Sequence, residues 1–279
     1  MTAEPIRVST EWLDLRERAD AASRSGELVD ELRTHLPARG VLVIHDLACG
    51  TGAMGRWLAP LLPGRQHWVL HDRDAELLDV AAANCPAPAA DAAPVDVETR
   101  RSDITRLAAG DLAGAGVVTA SALLDLLTAE ELDGLIDVCL AAGCPVLMTL
   151  SVVGRVELDP ADPLDAHVAA AFDAHQRRTT DRGRLLGPDG FAAAVEAFRA
   201  RGRTVRVRQS PWRLGAADGR LAAEWLAGWI GAAWEQEPGL RADTDLAARR
   251  RLAAARAGRL TVRVGHADLL AIPPDRSSG

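Results

Sequence analysis

With 279 residues, 48% of them hydrophobic, the chain is long enough for one large globular domain, or for a core with a cap. A formal net charge of -7 argues against a general polyanion binder, which would carry a basic face, so nucleic acid is not expected as a bulk partner. All 32 basic residues are arginine and tyrosine is absent, which reads as base composition more than as function.

The opening residues lack the basic, apolar and small-residue succession of a secretory signal. The apolar run at 144–153 is too short to span a bilayer, so a cytoplasmic protein without membrane contact is expected. Cys49, Cys85, Cys139 and Cys144 show no C-x-x-C spacing and no neighbouring histidine pair. Buried free thiols and no metal site follow.

In chain order, residues 10–36 read as two short helices broken near Gly26. "VLVIHDL" (41–47) is an apolar strand entering a glycine turn, followed by a helix through "AMGRWLAPLL". A strand at 67–71 feeds a helix from Asp74 to Asn84, and a third strand spans 95–101. A fourth, at 116–120, leads to a helix opened by Thr128 with Glu131 three residues on, the spacing of a capping box. That helix carries Leu132, Leu135, Ile136, Cys139 and Leu140 on one stripe, so it should lie on a sheet. The fifth strand spans 145–153.

After residue 153 the rhythm changes: a helix at 163–178, another opened by Pro188, and two late strands at 204–214 and 260–273. Between the late strands lies a helical insertion with Trp225 and Trp229 on a wide apolar face, read as core packing before a substrate wall or dimer surface. Strands alternating with helices predict a parallel sheet covered on both faces, with its ligand at the strand carboxyl ends. The last two strands fit an antiparallel pair at the edge.

Gly50, Gly52 and Gly55 spell G-x-G-x-x-G, and Asp72 follows at a distance that suits a ribose, which taken alone reads as a dehydrogenase. Asp46, four residues before Gly50, stands where a hydride-transfer enzyme keeps its strand apolar. With "DLACGTG", an acid after the second strand (Asp72 in "VLHDRD"), "SDI" after the third and a closing strand pair, the chain resembles the class I S-adenosylmethionine-dependent methyltransferases. Ala48 stands where a further glycine is common in them. The match covers residues 40–153 well, the late strands loosely and the insertions not at all.

The resemblance implies an α/β three-layer sandwich: a seven-stranded, mostly parallel sheet with an antiparallel C-terminal strand pair and helical cap insertions. Residues 1–36 would form an N-terminal helical lid, and 37–279 a Rossmann-like domain with insertions at about 155–186 and 215–258. It implies S-adenosyl-L-methionine as cofactor, with S-adenosyl-L-homocysteine as product. Gly50 and Gly52 let backbone approach a ligand closely. Asp72 can accept both ribose hydroxyls, Asp103 the adenine amine, and Ile104 offers a backbone N–H and an apolar wall. Asp46 discriminates between nucleotides: a carboxylate repels a pyrophosphate and attracts an ammonium or sulfonium. Ala48, Arg16, Arg73 and Ser121 complete the expected cofactor contacts.

For the acceptor side, the segment 119–127 lacks the N/D-P-P-Y/F sequence of base and glutamine methylation. Asp125 is a candidate there, as are His167 and His175, which lie eight apart on one helix face. The expected reaction is methyl transfer to an oxygen or nitrogen of a small, cyclic metabolite of the secondary-metabolism type, by a monomer or homodimer. An NAD(P)-dependent oxidoreductase and a non-catalytic S-adenosylmethionine-binding module are the alternatives.

Overall fold

The computed structural model describes residues 8–37, 39–84 and 86–274. It opens with helices α1 (Thr10–Ser23) and α2 (Gly26–Thr34), each N-capped by a serine, Ser9 and Ser25, whose hydroxyl accepts the backbone N–H three residues on, from Trp12 and Leu28. The break therefore falls at Arg24 and Ser25, and Gly26 is already the first residue of α2.

The expected alternation follows as β1 (Leu42–Leu47), α3 (Ala53–Leu58), β2 (Gln66–Asp72), α4 (Ala75–Ala83), β3 (Val95–Arg101), β4 (Val117–Ser121), α5 (Ala129–Ala141) and β5 (Val146–Asp159). Thr128 and Glu131 form the capping box of α5: the Thr128 hydroxyl accepts the Glu131 N–H at 3.2 Å, and the Glu131 carboxylate accepts the Thr128 N–H at 2.9 Å. Leu132, Leu135, Ile136 and Cys139 are buried on its inner stripe. The rest of the chain gives α6 (Asp165–Gln176), the hairpin β6 (Thr179–Thr180) and β7 (Gly183–Arg184), α7 (Gly190–Ala200), β8 (Thr204–Gln209), β9 (Trp212–Leu214), α8 (Gly219–Gln236), α9 (Leu240–Arg256) and β10 (Thr261–Ile272).

The sheet runs β3-β2-β1-β4-β5-β10-β8. Its first five strands are parallel, and β10 is antiparallel to both β5 and β8. This is the mostly parallel, Rossmann-like sheet with an antiparallel closing pair that the sequence predicts. The order reverses at β1, whose neighbours β2 and β4 lie on opposite sides, so a crevice opens at the carboxyl ends there. Helices α2, α3 and α4 cover one face around Ile44, Trp68 and Leu70, while α5 and α7 cover the other around Val118, Met148 and Phe198. A third cluster joins α6, α8 and α9 to β9 and the first half of β10. Trp229 is buried in it, with Trp225 stacked on it at 5.5 Å, the core-packing reading of that pair.

Two details differ from the sequence reading. The single strand expected at 204–214 is two, because Pro211 has no N–H to continue the ladder; β9 then pairs with β10 alone, as an eighth strand. The fifth strand continues beyond 153 to Asp159, so the first insertion begins as a β-ribbon against β10. Between β3 and β4 the chain makes only short 3-10 turns at Ile104–Arg106 and Ala109–Leu112. Cys49, Cys139 and Cys144 are buried free thiols, and Cys85 lies outside the described residues. Among the described residues no helix is long and apolar enough to cross a membrane.

Candidate functional site

At the end of β1 the chain turns through Ala48 (φ +53°), Gly50 (φ +55°) and Gly52 (φ +81°). A Cβ on Gly50 would stand 3.2 Å from Leu13 Cδ1 of α1, and one on Gly52 would stand 3.3 Å from Ala81 Cβ of α4. Ala48 holds a left-handed conformation that costs an L-residue about 1–2 kcal/mol. Ala122, just beyond β4, and Leu150 of β5 share it, with φ of +52° and +55°. Three non-glycine residues in the left-handed region thus lie near the carboxyl ends of the parallel pairing of β1, β4 and β5.

Asp72 fixes the turn. One of its carboxylate oxygens accepts the Gly50 N–H at 2.9 Å and the other the Asp74 N–H at 3.0 Å, with the side chain buried. Asp46 is 1% exposed; the hydroxyl of Thr119, its register partner on β4, donates to Oδ1 at 2.7 Å, while Oδ2 has no partner. Burial raises its pKa to about 7, against the pull of the Thr119 hydrogen bond and of Arg24.

Arg24, the C-cap of α1, is 7% exposed and reaches over the end of β4 and the paired Thr149 of β5. It donates to Ser121 Oγ at 3.2 Å and more loosely to Thr149 Oγ1 at 3.4 Å, with its guanidinium 5.4 Å from the Trp57 ring centroid, yet its Nη1 has no partner. Its place is set from the far end of the chain. Asp268 of β10, fully buried, accepts the Ser25 N–H at 2.8 Å, the Leu150 N–H at 2.8 Å and the Ser210 hydroxyl at 2.5 Å.

Helix α1 meets this site along two stripes. Leu13 rests on Gly50, and Glu17 pairs with Arg56 at 2.6 Å, while Arg56 also donates to the Thr51 carbonyl at 2.5 Å. The Arg56 hydrogen bond outweighs burial and keeps the Glu17 carboxyl below its usual pKa. One residue round the helix, Arg16, Asp20 and Arg24 follow at i, i+4 and i+8. Arg16 binds Asp20 through two nitrogens, at 2.9 and 3.3 Å, and lies 5.1 Å over Trp212, whose indole N–H donates to Asp20 at 2.9 Å.

The other candidates fall in different places. Ser121 lies at the site as the acceptor for Arg24. Asp103 caps the turn after β3, accepting the Thr105 N–H at 3.0 Å and hydroxyl at 2.8 Å; these bonds and the charges of Arg106 and Arg73 overcome a raising effect of burial and lower its pKa. It borders a cavity of about 350 Å³ with His71, Arg100, Ser102, Arg106 and Asp111. Ile104 is buried in the cluster against which Ala48 packs. Arg73 is exposed, and its carbonyl accepts from Arg101 at 3.2 Å.

Asp125, in the turn Leu124–Leu126, faces Gln176 of α6 at 3.5 Å, and burial raises its pKa to about 6 despite Arg16 and Arg178. His167 and His175 instead pair with Glu237 and Glu235 around the end of α8, at 3.0 and 3.2 Å. Neither is brought to the glycine turn by these contacts. A hollow of about 530 Å³, lined by Ala170, Ala174, Arg177, Arg178, Arg184 and others, shares no lining residue with the turn.

Sequence reasoning passed over Arg24, Thr119, Gln176 and Asp268. The spacing of Arg16, Asp20 and Arg24 was the available signal for the first. It also passed over a buried pair, His45 and His71, joined at 3.0 Å and extended at 3.0 Å to Ser102. Burial lowers both pKa values to about 4, so the pair is neutral near pH 7.

Chemically, the crevice offers glycine backbone for close approach, a carboxylate beside the turn, and two buried groups of opposite charge, each with an open atom. Such a set suits an adenosine-type cofactor with a charged tail.

No family model matches the chain, and no curated protein matches it. Solved structures similar to it include the cyclopropane synthase MmaA2 from Mycobacterium tuberculosis, at 12% identity over 95% of this chain and 94% of that one, with a TM-score of 0.48. The plantazolicin methyltransferase BpumL in complex with SAH is similar at 10% identity over 95% and 88%, with a TM-score of 0.47. The mycolic acid cyclopropane synthase CmaA1 complexed with SAH and CTAB is similar at 13% identity over 87% and 83%, with a TM-score of 0.45. These likenesses are remote; the sheet order of the chain itself defines its architecture.

Proposed function

We propose that the protein is an S-adenosylmethionine-dependent methyltransferase acting on an oxygen or nitrogen of a small, cyclic metabolite. The observation that carries this reading is the open, buried oxygen of Asp46 beside a turn pinned by Asp72. A buried carboxylate with an unused acceptor calls for a cationic or hydrogen-bonding partner. A pyrophosphate there would meet repulsion, which disfavours NAD.

S-adenosylmethionine, when bound, supplies a methyl group on a sulfonium. Asp72, whose oxygens each retain a second lone pair, accepts the ribose hydroxyls. Ile104 and Ala48 wall the adenine, and Asp103 accepts its amine. Within the segment 1–36, helix α1 acts as a lid, because Leu13 covers Gly50 and the Glu17–Arg56 pair ties α1 to the turn. This lid excludes water while an acceptor is aligned for in-line displacement. Asp125, with a pKa of about 6, takes the proton of a hydroxyl or protonated nitrogen acceptor. Gln176 keeps it oriented.

Calorimetric titration with S-adenosylhomocysteine and, separately, with NAD tests the reading. Binding of the first alone, weakened at least ~10-fold in Asp72→Ala, is expected, since ribose bonds to a carboxylate contribute more than 1 kcal/mol. Binding of NAD alone would overturn it.

A further inference from the structure

We propose that the hollow between the end of α6, the β6–β7 hairpin and the end of α8 binds an oxyanion, the carboxylate or phosphate end of the methyl acceptor, through Arg178 and Arg184. The inference rests on the methyltransferase reading above for the acceptor, and on the hollow itself for the anion. The volume of about 530 Å³ suits a small molecule, and the lining holds three arginines, Thr179, Gln236 and two alanines of α6, with no carboxylate. That lining is cationic in a chain whose formal net charge is -7. Asp189 balances Arg177, through contacts of 2.6 and 2.8 Å. The Arg178 side chain donates to the His175 carbonyl at 3.1 Å, and among the described residues neither it nor Arg184 forms a salt bridge. Like charges gathered without a counterion repel one another, so an anion that fits is attracted there.

Backbone pairing holds these groups in place. The Leu185 N–H donates to the Arg178 carbonyl at 3.1 Å, and Thr179 stands opposite Arg184 across the hairpin. The Leu186 N–H donates to the Leu127 carbonyl at 2.8 Å, which ties the hairpin to the segment after β4. Asp125 lies in that segment. Gln176, directly before Arg177 and Arg178, donates to Asp125 at 3.5 Å, and its Oε1 is buried with no partner. Asp125 also feels the charge of Arg178. One end of α6 therefore carries both the cationic lining and the contact to the proposed base. An acceptor anchored by its anion in the hollow presents a hydroxyl or amine toward Asp125, and the open Gln176 oxygen accepts a hydrogen bond from it.

The test measures anion binding by calorimetry at low ionic strength, with pyrophosphate and succinate as probes. The wild-type protein should bind at least one, pyrophosphate more tightly if the acceptor carries a phosphate and succinate more tightly if it carries a carboxylate. Arg178→Gln/Arg184→Gln should weaken the tighter probe ~10-fold or more, as expected when charge-assisted contacts are lost. Arg100→Gln/Arg106→Gln, at the other cavity, should change it by less than about 3-fold. If the first double variant does not fold, Arg184→Gln alone, at an exposed position, should weaken that probe at least ~3-fold. Saturating S-adenosylhomocysteine should leave the anion affinity unchanged. The bound probe should raise the pH at which Asp125 titrates, read by carbon-13 NMR and assigned by its loss in Asp125→Asn. No binding of either probe, equal losses in the two double variants, or displacement by S-adenosylhomocysteine would overturn the anion site. An Asp125 titration that does not move would overturn its assignment to the acceptor. Failure of S-adenosylhomocysteine itself to bind would overturn the cofactor reading and leave the anion site standing.

Discussion

Asp46 is held in a setting that opposes its ionisation. Its neighbours are Thr119, which donates to it, Arg24, whose charge favours ionisation, and Asp72, whose charge opposes it; burial dominates and raises its pKa from 3.8 to about 7. Between these values the folded state binds more protons than the unfolded state, so the contribution of Asp46 to stability falls as pH rises through that window. Above about pH 7 the penalty is complete. Asp46→Asn keeps the shape and the Thr119 bond, and should stabilise the protein at pH 8 by up to about 4 kcal/mol, the equivalent of that shift. The gain should vanish near pH 4, and denaturant titrations at the two pH values check it. The same variant should lose affinity for S-adenosylhomocysteine. In the wild-type protein that affinity should weaken as pH falls below 7, because a protonated Asp46 no longer attracts an ammonium. Asp46, Gly50 and Asp72 were legible because a glycine turn and acids at strand ends are local patterns. Arg24 was not, since its role depends on where the end of α1 comes to rest.

At the scale of elements, Asp268 joins parts of the chain that no local pattern connects. One carboxylate holds the start of α2, the strained Leu150 of β5 and Ser210 beyond β8. Burial raises its pKa, against the pull of its three donors. Asp268→Ala leaves those donors unsatisfied and should cost about 3–5 kcal/mol, with Asp268→Asn costing less; thermal and denaturant unfolding read the difference. The alternation through β5 was legible because apolar runs and the Thr128–Glu131 capping box are short-range signals. The split at Pro211 was written in the sequence as a residue without an N–H, but a strand reading over 204–214 ran through it. The extension of β5 to Asp159 was passed over although Val156 and Leu158 alternate with Arg155, Glu157 and Asp159; only pairing with β10 shows that one strand continues through Gly154. Pairing of that kind is a long-range fact.

For the whole molecule, the sheet order brings β1, β2, β4 and β5 to one edge, and the chain then lays α1 across it. The N-terminal helix, the glycine turn and the C-terminal strand β10 thus meet at one place, through Leu13 on Gly50 and Asp268 on Ser25. Of the two histidines that the sequence offered as bases, both lie with glutamates of the α8 end, whereas Asp125 is set between Gln176 and the charges of Arg16 and Arg178. The pattern of one helix could place His167 and His175 on a shared face, but only packing decides where that face points.

If this crevice holds S-adenosylmethionine beneath α1, a crystal structure of the full chain with S-adenosylhomocysteine will show the ligand there. The ribose should lie on Asp72, the adenine against Ile104, and the amino-acid end beside Asp46. Density for the ligand in the hollow beside Arg178 and Arg184, or a pose with the amino-acid end away from Asp46, would contradict it.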